Sequence, residues 1–146
     1  MAFLYQQHPQ PLTLETAWHE FSKLVNEYAT KQVLPGTAPA ALDEVRLVMS
    51  EIESCQLEGH APDHHDIPWR IGYLVFCMHQ VERVGISDGS ARWLVAEFLD
   101  EMGISFDCAL EIALVRLRFL HKGEDILYVD TCVLVPLMKQ HLAHRS

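Results

Sequence analysis

The sequence predicts an all-α fold: a single-domain bundle of six to seven helices with two tight helix-turn-helix corners, at Gly85-Ile86-Ser87 and Gly103-Ile104-Ser105. Three observations predict it. Apolar residues recur every three or four positions in segment after segment. Gly36, Gly59, Gly85, Gly103 and Gly123 each fall where such a period ends, and Pro35, Pro39, Pro62 and Pro68 share the same gaps. The one strongly β-branched run, "ILYVDTCVLV", has no second strand to pair with. A chain of 146 residues suits one domain with a real core, and 49% apolar content is too high for disorder. Residues 1–12 read as an extended N-terminal segment and 13–144 as the helical domain.

The first helix is expected over about 13–34. Leu14, Ala17, Trp18, Phe21, Leu24, Val25, Tyr28 and Val33 form its stripe, Thr13 caps it, and Pro35-Gly36 ends it. The second is expected over about 40–57. Leu42, Val45, Val48, Met49, Ile52 and Cys55 point inward, and Asp43, Glu44, Glu51 and Glu53 lie on the other face. Asp66 caps a third helix with Pro68 in its first turn, carrying Ile71, Leu74, Val75, Met78 and Val81.

"VERVGISDGSARWLVA" (81–96) then aligns without gaps with "LDEMGISFDCALEIAL" (99–114). Both read as a helix end, Gly-Ile-Ser, and a new helix, so this is a reused turn that recurs nowhere else in the sequence. The fifth helix, about 106–122, is apolar almost all round, which places it in the middle of the bundle. The last helical segment, about 125–144, is interrupted by Pro136, and residues 126–135 compete between helix and strand.

The longest apolar runs, "LVFCM" and "CVLVPLM", are too short to span a bilayer, and "MAFLYQQHPQPL" lacks the basic and apolar regions of a signal peptide. A cytoplasmic protein with no membrane contact is expected. Cys55, Cys77, Cys108 and Cys132 lie far apart and form no C-x-x-C pair, consistent with reduced thiols. The net charge is −9, concentrated in residues 1–66, which hold ten acids and three bases. That balance disfavours nucleic acid and suits a basic protein partner.

Gly85-Ile86-Ser87-Asp88-Gly89 matches the G-x-S-x-G nucleophile elbow. The elbow needs a strand before its serine, and residues 67–84 have helical period instead. The stretch "LDEMGISFDCALEIAL" resembles the helix-turn-helix of phage-repressor-type regulators over about 20 residues, which implies DNA binding. Its second helix would present Phe106, Asp107, Cys108, Leu110 and Glu111, with no cation for phosphates. The first copy, within 81–98, offers Ser90, Arg92 and Trp93 as DNA or partner contacts, opposed by Asp88 and Glu97. Capping chemistry accounts for both corners with fewer assumptions. Glycine takes the left-handed conformation, isoleucine packs back, and serine accepts an N–H of the next helix.

"CQLEGHAPDHHD" gathers Cys55, His60, His64 and His65, residue types that ligate zinc, though at no standard spacing. His79 is a candidate fourth ligand. The pairs Glu15/His19, Glu97/Glu101 and His79/Glu82 build neither a zinc-peptidase nor a di-iron motif, and no catalytic constellation is found. The expected function is therefore a non-enzymatic acidic interaction module without a cofactor. It would be an inhibitor or regulator of the class that includes immunity proteins, antitoxins and phage-encoded inhibitors. Glu44, Glu51, Glu53, Glu58, Asp63 and Asp66 are the expected charge partners, and a homodimer is an open alternative. The competing readings are a transcription regulator using residues 81–98 and a metal-binding protein using the 55–66 loop.

Overall fold

In a computed structural model the described residues are 14–30, 42–59, 64–83 and 90–145. They form helices and no strand. Helix α1 spans Leu14–Thr30, α2 Leu42–Leu57, α3 Asp66–Arg83, α4 Ser90–Glu101 and α5 Phe106–His121. A single turn, α6 (Ile126–Tyr128), leads through a π-helical stretch (Val129–Leu134) into α7 (Val135–Arg145). The expected all-α bundle is thus observed. The N-terminal segment 1–12 and the Gly85-Ile86-Ser87 corner lie outside the described residues.

Helix α5 is the axis. Cys108, Ala109, Leu110, Ile112, Ala113, Leu114, Val115 and Leu117 are all buried. They pack chiefly against α3 and α1, with α4, α7 and the π-helical stretch completing the surround. Each fully buried leucine or isoleucine contributes roughly 2 kcal/mol, so this helix alone anchors much of the core. The stripes of α1 to α3 behave as their spacing predicts: Phe21, Val25, Val45, Ile52, Ile71, Leu74 and Met78 are essentially inaccessible. At the far end of α5, Arg118 and His121 pair with Glu20 and Glu27 of α1.

The corner at Gly103 shows the chemistry its sequence implies. Gly103 has φ +80°. The Ile104 N–H reaches the Leu99 carbonyl at 2.9 Å and the Gly103 N–H the Asp100 carbonyl at 3.0 Å, closing the helix end in a Schellman motif. Ile104 is buried beneath it, and Ser105 Oγ accepts the Cys108 N–H at 3.1 Å. The same device recurs at Gly123-Glu124-Asp125, which shares only the glycine with the repeated Gly-Ile-Ser sequence. Gly123 has φ +81°, and the Glu124 N–H bonds to the Phe119 carbonyl at 3.1 Å. Asp125 Oδ1 then accepts the Leu127 N–H at 2.9 Å. The sequences differ because only the glycine and a short oxygen-bearing cap are required.

Pro136 does not interrupt the last helix. The backbone widens into π-helical turns over Val129–Leu134, and the proline falls in the first turn of α7. A wider turn relieves the clash of the ring with the preceding turn and tolerates the missing N–H. The widening also carries Asp130 inward, where Oδ1 meets Arg116 Nε at 2.9 Å.

Candidate protein-interaction surface

Helix α4 divides cleanly by period. Ala91, Val95 and Leu99 are fully buried, and Leu94 and Phe98 pack against the core from its flanks. The opposite face carries Trp93, Glu97, Asp100 and Glu101, all exposed. Trp93 is 66% accessible, a large aromatic surface with no internal use. Between this face and the Gly103 corner runs a groove of about 480 Å³. Ile104 and Phe106 supply its apolar side, Trp93 and Ala96 one wall, and Glu97, Asp100 and Ser105 its polar groups. Asp107 is exposed in the first turn of α5.

The residues singled out by sequence are distributed differently. Arg92 does not line the groove, although its guanidinium lies 6.0 Å from the Phe106 ring. Its guanidinium bonds twice to Glu82, at 3.3 and 3.0 Å, and lies 4.3 Å above the Trp18 ring. That clamp ties α4 to α3 and α1. Ser90 opens α4, and its side chain lies outside the described residues, as do Asp63 and His60. On α2, Glu44 accepts a hydrogen bond from the Tyr73 hydroxyl at 3.4 Å, and Glu51 lies 3.5 Å from Arg70. Glu53 and Glu58 are exposed. Asp66 sits between His64 and His65, at 3.5 and 3.2 Å. The expected acidic set is therefore partly engaged within the fold.

Cys55 is 7% exposed in the core stripe of α2 and is not available to a loop metal with His64 and His65. His79 and Gln80 are buried, at 5% and 2%, although their sequence context suggests a polar outer face. His79 Nε2 meets Ser22 Oγ at 3.0 Å and Nδ1 meets the Gln80 side chain at 3.2 Å. The rings of Trp18 and Phe21 lie 5.2 and 5.6 Å from it. This pair has the spacing of a base and a hydroxyl nucleophile. The third partner is a neutral amide, however, which gives no charge to stabilise an imidazolium. Its place here is to satisfy two buried polar groups between α1 and α3.

Among the described residues, Cys77, Tyr73 and His141 are shifted. Burial pushes the Cys77 thiol up to about 12, with the Glu44 carboxylate adding to it, so the thiol is inert. Burial likewise raises the Tyr73 hydroxyl above its ordinary range, reinforced by Cys77 and Glu44. His141 is pushed up to about 10, first by a hydrogen bond with Cys108 and then by Glu111, whose Oε1 is 3.0 Å from its Nε2.

The geometry also bears on DNA binding. In the second corner the reading helix would be α5, whose Cys108 and Leu110 are buried in the centre of the bundle. In the first corner it would be α4, whose exposed charges, Glu97, Asp100 and Glu101, are carboxylates and whose Arg92 is paired with Glu82. Phosphates would meet repulsion from both.

No family model, curated protein or solved structure matches the chain. The surface must be read from its chemistry. Of the groove residues, Ala96 and Asp100 were not singled out from sequence, and Glu97 and Phe106 were weighed only for DNA contact or as part of an acidic pair, yet a signal was present. Positions 93, 97, 100 and 101 recur at helical spacing opposite 91, 95 and 99.

Proposed function

We propose that the chain is a non-enzymatic interaction module, an inhibitor or regulator that takes a basic protein partner along the groove beside α4. One observation carries this reading: a widely exposed Trp93 beside Glu97 and Asp100 at the mouth of an open groove. An arginine of the partner is the side chain that fits. Its guanidinium stacks on an indole, worth about 0.5–1 kcal/mol at an exposed site, while its N–H groups reach carboxylates in bonds worth roughly 1.5–3 kcal/mol. Glu53 on α2 and Glu58 in the turn after it, with the overall charge of −9, favour approach of a basic surface and speed its association. The same charge opposes a homodimer through this face, because like would meet like.

Selection of peptides from a random display library on the immobilised protein tests the reading. Sequences rich in Arg or Lys should be enriched. Their binding should fall at least tenfold in the E97K/D100K variant, and should weaken steeply with salt. Enrichment of acidic or purely apolar sequences, or basic sequences indifferent to both substitutions, would remove this groove as the site.

A further inference from the structure

The loop leading into α3 holds a second cluster, separate from the groove. His64, His65 and Asp66 bring one ligand atom each to within 4.8 Å of one another. We infer that these three side chains form a binding site for a divalent transition-metal cation of the zinc class.

The separations support it. Zinc bonds nitrogen and oxygen at about 2.0–2.2 Å, so neighbouring ligand atoms of a tetrahedral site lie about 3.3 Å apart. Asp66 Oδ2 is 3.5 Å from His64 Nδ1, and Asp66 Oδ1 is 3.2 Å from His65 Nε2. Each imidazole nitrogen thus lies near ligand-to-ligand distance from one oxygen of the Asp66 carboxylate, which faces both rings. The imidazole rings lie 4.5 Å apart, on one side of the turn.

In the neutral ring His64 Nδ1 accepts the Asp66 backbone N–H at 3.4 Å, a long contact that a bound cation would replace as it takes up the lone pair. The backbone fixes the arrangement: the Ile67 N–H bonds to the His64 carbonyl at 2.9 Å, and the Ile67 side chain is fully buried. The rings themselves remain accessible to solvent. Imidazole nitrogens favour zinc, nickel, copper or cobalt over magnesium and calcium, which prefer all-oxygen shells. Three protein ligands leave the remaining positions to water.

Untagged, chelator-treated protein titrated with Zn²⁺ against a chromophoric competitor tests the site. One equivalent should bind, at least tenfold more weakly in H64A and in H65A, and unchanged in C55A. Far-UV circular dichroism confirms that the variants are folded. Wild-type protein loaded with Co²⁺ gives an answer independent of any substitution. Its visible bands should appear without a thiolate charge-transfer band. Absence of stoichiometric Zn²⁺ binding, binding indifferent to both histidines, or a thiolate band would overturn the assignment.

Discussion

Replacing Asp130 by Asn should destabilise the fold by about 2 kcal/mol, less than the 3–5 kcal/mol usual when one member of a buried ion pair is removed. The Asp130 side chain is 9% exposed and its Oδ1 lies 2.9 Å from Arg116 Nε. Arg116 is itself held between Trp69, whose ring is 5.8 Å from the guanidinium, and Gly72. It cannot swing freely into water to rehydrate. Two features reduce the loss: asparagine still accepts a hydrogen bond, and the Arg116 side chain keeps 18% of its exposure. For a domain of this size the change corresponds to a Tm lower by roughly 4–8 °C. Urea denaturation of wild type, D130N, R116M and the double variant R116M/D130N closes a double-mutant cycle. The double variant should be more stable than the sum of the single losses, by a coupling of about 1–3 kcal/mol. A D130N protein within about 0.5 kcal/mol of wild type, with no coupling, would refute the placement of Asp130 by the π-helical turn.

Gly103→Ala should cost about 1–2 kcal/mol from left-handed backbone strain alone, since a Cβ there meets nothing within 4 Å. Ser105→Ala should cost about 1 kcal/mol as its bond to the Cys108 N–H is lost. Thermal melts check both, and neutrality of Gly103→Ala would be incompatible with the corner. His141 gains stability from Glu111 and Cys108 because its folded value is raised from 6.5 to about 10. That contribution is fully present below pH 6.5 and is lost as pH rises through 10. Solvent screening at a ring 31% exposed limits it to roughly 1–2 kcal/mol. The stability difference between wild type and H141Q in urea should therefore shrink between pH 6 and pH 10. A constant difference would contradict the pairing.

Much of this architecture was legible because local chemistry dictates it. Glycine and proline punctuate the chain, and the all-round apolar pattern of 106–121 placed α5 at the centre. The π-helical stretch was not legible. Pro136 announces a disturbance, but whether the chain breaks or widens depends on what Asp130 finds on α5. His79 read as a candidate metal ligand, and its actual partner Ser22, 57 positions away, is brought to it only by the packing of α1 on α3. The acidic face of α2 met the same limit. Period shows that Glu44 and Glu51 point outward, and only the tertiary fold brings Tyr73 and Arg70 against them. On α4 no such partner meets Glu97 or Asp100 among the described residues, and both stay at the surface of the groove.

Amide hydrogen exchange of the chain, alone and saturated with a selected arginine-rich peptide, tests the central claim most directly. The account predicts added protection concentrated in residues 93–106, across the outer face of α4 and the Gly103 corner. Protection confined to α2, with residues 93–106 unchanged, would contradict it.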